Sequence, residues 1–322
     1  MAPARATISG IPAWRGGRRH RAALTLEAED ARPRLDAWNS VTSLAAMSVG
    51  YQLTFRLRDS RVIAPTVTAR RRIARSFLEI GDRYGLLAFR VAGDHAHAEV
   101  VCKREEAGRA AQAIGSSITQ ALGLPDGFNI THLAAIVDQS HLEEVFHYVL
   151  RQGQKHGLTD DLVHDGSALP DLLDYRVLGI GIEERVCAYL PRVSREAIRR
   201  HLGIEPAELV FAPRHLADAA AAAFGLANLN GQTEVPLLAR AAAVKIATEH
   251  MKPDAVVALL RVSRSRMYAA REAVVPAGVI LAIRRGMTLR ASLGDRLMQK
   301  LPPTSHPGRA TRGAPSASSF DA

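Results

Sequence analysis

Residues 86–102, LLAFRVAGDHAHAEVVC, combine two apolar runs with a turn between them. The segment starts as an apolar run, turns at the Gly-Asp pair 93–94, and ends in a second short run that begins at His95. This pattern predicts a β-hairpin. Alternate residues of a strand lie on one face of the sheet, so His95, His97 and Glu99 are expected to project together.

The segments around this hairpin show the periodicities of strands and helices. Apolar spacing predicts four further elements, which are a strand at 51–57, helices at 66–84 and 105–122, and a strand at 130–137. Ser140 and Glu143 have the form of a capping box, which predicts another helix running to about 156. The order of elements indicates an α+β fold, a mostly antiparallel sheet with helices packed against it.

The remainder of the chain differs in amino-acid composition. Residues 165–300 are rich in Ala and Leu and predict an all-helical domain after the α+β domain at 48–160. The arginine-rich segment 1–47 and the Pro/Ser/Gly-rich tail 301–322 are expected to be disordered. Within the helical domain, residues 241–273 have the form of a helix-turn-helix, although a plain helical hairpin would give a similar pattern.

Charge and composition narrow the function classes. Of the 42 Lys and Arg residues only five are lysine, and the formal net charge is +10. Arginine suits bidentate phosphate contacts, so the charge favours a nucleic-acid partner, although a GC-rich genome would also raise the arginine content. Cys102 and Cys187 form no CxxC pair, which excludes a disulfide framework and a cysteine zinc site. No apolar run is long enough for a membrane helix, and the cytoplasm is the expected location.

The two histidines and one later helix carry the candidate chemistry. Two imidazoles projecting from one strand are suitable ligands for a metal ion. Glu99 could be a fourth ligand or a base, but it is expected to be a solvated strand residue. In the helix, Tyr148 and Gln152 are four residues apart and should share one face. Gln152 offers a carbonyl oxygen suited to Mg²⁺ or Mn²⁺, and Tyr148 offers a phenolic oxygen that could act as a nucleophile. Arg151 and Lys155 lie close to Tyr148 in the sequence, and their positive charges could bind phosphate. Both are therefore expected to be DNA-binding residues.

Together these segments resemble the HUH-type single-tyrosine transposases, which include insertion-sequence and REP-associated tyrosine transposases. HAH at 95–97 is similar to the metal-binding pair of that family, YQLTFRLRDSR at 51–61 to its first strand, and AIVDQSHLEEVFHYVLRQGQKHGL at 135–158 to its tyrosine helix. The resemblance covers residues 48–158. This sequence has Gly-Asp where the family often has Pro-Asn before the first histidine.

The resemblance implies a metal-dependent endonuclease and strand-transferase that acts on single-stranded DNA next to a hairpin. His95, His97 and Gln152 would hold one Mg²⁺ or Mn²⁺ ion, and Tyr148 would form a 5′-phosphotyrosine intermediate. It also implies a homodimer. Some relatives carry a DnaA-like or other helix-turn-helix module after the catalytic domain, and here Arg264 and Arg266 would contact duplex DNA.

Two other functions remain open at this point. The chain could be a transposase-derived regulator that binds DNA without catalysis, in which case Tyr148 is dispensable. It could also be an unrelated metal hydrolase that uses His95, His97 and Glu99, in which case Glu99 rather than Tyr148 is essential.

Overall fold

The computed structural model describes residues 48–59, 61–152, 164–178, 181–201 and 208–300. The two terminal segments predicted to be disordered lie outside these residues, and so does Lys155. The side chains of 201 and 294–300 are likewise not described.

The fold is α+β, as the sequence predicts. In the described residues the strands are β1 (Gly50–Arg56), β2 (Leu86–Ala92), β3 (His95–Val100) and β4 (His132–Ile136). The first three helices are α1 (Val67–Gly81), α2 (Arg104–Leu122) and α3 (Gln139–Leu150). The strands form one sheet in the order β2-β3-β1-β4, and every neighbouring pair is antiparallel.

The two faces of this sheet are covered by different helices. The first face packs against α1 and α2 through aromatic contacts, since the Phe77 ring stacks on Phe89 with centroids 4.9 Å apart and meets Phe55 edge-on at 5.6 Å. Helix α3 packs across β2 and β3 on the opposite face. His95 and His97 lie on this second face, because their Cα partners on β1 are Arg56 and Thr54.

Every element assigned after residue 164 is a helix, in agreement with the predicted helical region. They are α4 (Leu169–Leu172), α5 (Ile182–Tyr189), α6 (Arg195–His201), α7 (Pro213–Ala223), α8 (Glu234–Thr248), α9 (Pro253–Leu260), α10 (Arg264–Glu272) and α11 (Ala277–Lys300). Residues of α4, α5 and α6 contribute to the core of the sheet. The last five helices enclose a second core that includes Leu216, Val244, Val256, Met267 and Ile283.

A cluster of ion pairs joins the two cores. Arg71 of α1 contacts both Asp165 and Asp218, and Arg290 of α11 contacts the same two carboxylates. In the part of the chain that is described, no helix is long and apolar enough to cross a membrane. The domain limits given above stay predictions.

Several element boundaries differ from the sequence predictions. Helix α3 begins at Gln139, so Ser140 lies inside the helix and the capping box predicted at Ser140 is wrong. Asp138 caps the helix instead, because its carboxylate accepts a hydrogen bond from the His141 amide at 2.9 Å. The same helix ends at Leu150, and the predicted continuation lies largely outside the described residues. The helix predicted over 66–84 ends at Gly81 and is followed by a 3-10 turn.

Candidate metal centre

Two buried histidines form the centre of the candidate site. Strand β3 places His95 and His97 on the face beneath α3, with ring centroids 4.8 Å apart. Their residues are only 5% and 6% exposed. Imidazoles held this close on a rigid strand can bind the same metal ion, provided that one ring nitrogen of each points toward a common position.

Both histidines are oriented through Nδ1. The Nδ1 of His95 lies 2.7 Å from the Asp94 carboxylate, and this hydrogen bond is the main cause that lowers the pKa of Asp94. The Nδ1 of His97 lies 3.1 Å from both Thr54 Oγ1 and the Gln52 amide nitrogen. With a proton on Nδ1, each ring presents Nε2 as its metal-binding nitrogen, as metal-ligating histidines commonly do. The Gln52 amide would then turn its oxygen toward His97, since the two ends of an amide are interchangeable by rotation.

Gln152 is the candidate third donor, four residues after Tyr148. Its residue is 1% exposed, and its amide nitrogen donates to the Tyr148 carbonyl at 3.3 Å. Its Oε1 is buried and has no hydrogen-bond partner among the described residues. A buried carbonyl oxygen without a donor is costly, and a hard divalent cation would satisfy it.

Tyr148 lies at the open side of this group. Its ring centroid is 5.7 Å from that of His97, and the residue is 38% exposed. It lines a groove of about 400 Å³ on the outer side of α3 together with Glu144, His147 and Arg151. The tyrosine is therefore next to a candidate metal ligand and accessible to a large substrate.

Glu99 corrects one expectation from the sequence. The prediction of a solvated side chain is wrong, because Glu99 is 0% exposed under α3. Burial raises the pKa of its carboxyl well above the ordinary value, and neither oxygen has a hydrogen-bond partner among the described residues. No three His, Cys, Asp or Glu side chains in those residues are arranged to hold a metal ion. The geometry therefore does not favour the hydrolase based on His95, His97 and Glu99.

His95, His97 and Gln152 would offer two imidazoles and one amide oxygen to a divalent cation. Two imidazoles and one amide oxygen leave positions open for substrate oxygen atoms and water, which is the composition of a catalytic rather than a structural site. The three neutral ligands add no charge of their own, so an incoming phosphate would complete the neutralisation of the cation.

The residues assigned to DNA binding lie in two separate places. Arg151 is exposed at the C-terminal end of α3, beside Tyr148. Arg264 and Arg266 are exposed on α10, far along the chain, and Arg264 forms an exposed ion pair with Asp254. Arg151 therefore lies beside Tyr148, whereas Arg264 and Arg266 lie in the helical region.

The helix-turn-helix predicted at 241–273 stays a prediction; within it, α9 and α10 are joined by the short turn 261–263. The turn residue Arg261 adopts a left-handed conformation, with φ of 52°, and Ser263 caps α10 by accepting from the Arg266 amide. Val256 and Met267 are fully buried against the preceding helix. The outward side of α10 therefore carries its arginines into solvent, as a helix that enters a DNA groove would.

Sequence reasoning missed several polar residues of the histidine face. Gln52 and Thr54 are polar residues of an alternating strand, and the alternation places both on one face. Their contact with His97 was not predicted. Arg90 interrupts the apolar run of β2, and its isolated charge was the available signal. Asp94 was interpreted only as a turn residue.

No protein-family model and no curated protein matches the chain. Among solved structures, it is similar to a REP-associated tyrosine transposase bound to a REP hairpin, with 17% sequence identity and a TM-score of 0.32. The aligned region covers 38% of this chain and 78% of that chain. At this identity and TM-score the likeness assigns no function, and the function is inferred below from the residues of the site.

Proposed function

We propose that this chain is a metal-dependent DNA strand-transferase that uses Tyr148 as its nucleophile. The observation that carries the proposal is the position of an accessible tyrosine 5.7 Å from His97, next to a buried pair of imidazoles and a buried amide oxygen. The motif order on which the sequence resemblance depends supports the same assignment.

A divalent cation, Mg²⁺ or Mn²⁺, would be held by His95, His97 and Gln152. When bound, it would attract a non-bridging oxygen of the scissile phosphate and stabilise the charge that develops there. Asp94 and Thr54 keep the two imidazoles in the orientation that this requires. Arg151, at the mouth of the groove, is placed to bind a neighbouring phosphate of the strand.

The proposed chemical step exchanges one phosphoester for another. The Tyr148 phenol loses its proton, its oxygen bonds to phosphorus, and the bond from phosphorus to the 3′ oxygen of the preceding nucleotide breaks. That 3′ oxygen takes up a proton and leaves as a 3′-OH. The enzyme then carries a 5′-phosphotyrosine, and attack by a second 3′-OH reverses the step and joins strands. Such a reaction suits DNA transposition and recombination better than degradation.

Single-stranded DNA next to a hairpin is the proposed substrate. The hairpin stem would provide duplex for the outward arginines of α10, Arg264 and Arg266, while the strand beside it would enter the groove at Tyr148. The homodimer and the cytoplasmic location expected from the sequence remain predictions. Lys155, the other expected phosphate contact, lies outside the described residues.

A regulator that only binds DNA is the second candidate. The observation in its favour is the exposed arginine-bearing helix α10, which needs neither a metal ion nor a nucleophile to bind duplex DNA. The two candidates differ in one respect, since covalent attachment to DNA requires Tyr148 and binding does not.

The test is formation of a covalent protein–DNA adduct. Full-length protein is incubated with a pool of labelled single-stranded hairpin DNAs and Mn²⁺, and the products are separated on a denaturing protein gel. We expect label on the wild type, and none with Tyr148→Phe, with His95→Ala or after addition of EDTA. Tight DNA binding by the wild type without any adduct across the pool would instead establish the regulator.

A further inference from the structure

Arg90 is a buried charged side chain beside the histidine pair. The residue is 4% exposed, and its Cα pairs with that of His97 in the β2–β3 ladder. Directly opposed residues of an antiparallel pair project to the same face, so the guanidinium lies under α3 with the imidazoles. A buried guanidinium is costly unless its donors are engaged, and its contacts therefore indicate its role.

One contact of Arg90 is with the end of α3, the helix that carries Tyr148. Its Nη1 donates a hydrogen bond of 3.1 Å to the carbonyl oxygen of Leu150, the last residue of α3. The final carbonyls of a helix have no intrahelical donors and form the negative end of its dipole, so a cation is favoured there. The neighbouring Tyr148 carbonyl is held instead by the Gln152 amide.

We infer that Arg90 is a positioning residue that fixes the last turn of α3 to the sheet. Leu150 is two residues from Tyr148 and two from Gln152, so movement of its carbonyl displaces both functional side chains relative to His97. The inference rests on the proposed function, because it concerns the placement of the nucleophile and of one metal ligand. It assigns Arg90 no contact with substrate.

A direct contact of Arg90 with DNA phosphate is the competing role, and metal binding without DNA separates the two. If Arg90 positions Gln152, its loss weakens cation binding. If it serves only to bind phosphate, its loss removes a positive charge near a dication, and cation affinity stays the same or increases.

The experiment measures Mn²⁺ affinity of the full-length protein by calorimetry, with no DNA present. Arg90→Met and Arg90→Gln should each weaken Mn²⁺ binding about 10–100-fold, the usual effect of losing a residue that orients a metal ligand. Arg90→Lys, which keeps a donor on a long side chain, should recover most of the affinity. The adduct yield at saturating Mn²⁺ should also fall in Arg90→Met, because Tyr148 is displaced too.

Arg185→Met is the matched control. Arg185 also ties an element to a backbone carbonyl, donating to Leu86 at the start of β2 at 2.8 Å, but away from the histidines. This variant should bind Mn²⁺ like the wild type. If Arg90→Met does not fold, Arg90→Gln gives the same comparison. Wild-type affinity or tighter binding in the folded Arg90 variants would overturn the inference alone. Absence of Mn²⁺ binding and of adduct in the wild type would overturn the proposed function.

Discussion

Removal of Arg71 should destabilise the whole chain, because this side chain joins its two cores. Arg71 is 2% exposed, and its Nε lies 2.8 Å from the Asp165 carboxylate. Its Nη2 lies 2.5 Å from Asp218, and its Nη1 donates to the Leu226 carbonyl at 3.0 Å. Arg290 contacts the same two carboxylates from α11, more closely at Asp218 than at Asp165.

The magnitude follows from what Arg71→Met leaves behind. Asp165 is 5% exposed, and the ion pair that its carboxylate would keep among the described residues is the longer one with Arg290, at 3.6 Å. Breaking a buried ion pair costs about 3–5 kcal/mol. The Asp218 side chain is half exposed, so its lost contact adds at most about 1 kcal/mol. Methionine retains most of the buried chain length, so the cavity term is small. The remaining Arg290 contact with Asp165 offsets part of this cost. We therefore expect a loss at the lower end of the range, roughly 3 kcal/mol, a large part of an ordinary folding free energy.

The assay is equilibrium unfolding in urea, followed by circular dichroism. Arg72→Met is the control, since Arg72 is the exposed neighbour on α1 and donates to the Ala121 carbonyl. We expect this control to change the unfolding free energy by no more than about 0.5 kcal/mol. If Arg71→Met lowered the free energy of unfolding no more than Arg72→Met does, the ion-pair cluster would not stabilise the junction between the two cores.

Three further predictions concern single sites. Asp94→Ala should weaken Mn²⁺ binding about 10-fold in calorimetry, because His95 loses its orienting carboxylate; unchanged affinity would argue against that role. Burial raises the pKa of Asp218, but its two arginine partners outweigh this and lower it below 3.8. Its stabilisation is thus complete above that pH and lost as pH falls through the lowered pKa, so Asp218→Asn should reduce the difference in urea stability between pH 7 and pH 3. Replacing both Arg264 and Arg266 by Ala should weaken duplex DNA binding and reduce the slope of log affinity against log salt concentration by about 2 in fluorescence anisotropy, whereas an unchanged slope would place the DNA elsewhere.

The local elements could be predicted because their signals are local. The hairpin at 86–102 follows from a turn between two apolar runs, and the strand position of the histidines follows from period-two alternation. The short helices α9 and α10 could also be predicted, with Ser263 as the cap of α10. The start of α3 was misplaced because two acceptable caps, Asp138 and Ser140, are close together, and the backbone geometry at Asp138 decides between them.

The contacts between distant segments could not be predicted from the sequence. Arg71 and Asp218 are 147 residues apart, and Arg90 and Leu150 are 60 apart, so no periodicity relates them. Glu99 illustrates the same limit. The alternation placed its side chain on the correct face, but only the packing of α3 on that face determines that the carboxyl is buried.

Locating the residue that becomes linked to DNA tests whether Tyr148 is the nucleophile. Full-length protein is treated with single-stranded hairpin DNA and Mn²⁺, digested with nuclease and protease, and analysed by tandem mass spectrometry. Tyr189→Phe is the matched control, since Tyr189 is 40% exposed and Tyr148 is 38% exposed. The account predicts a nucleotide mass on Tyr148 that persists in Tyr189→Phe and disappears in Tyr148→Phe. An adduct on another residue, or no adduct from the wild type, would contradict it.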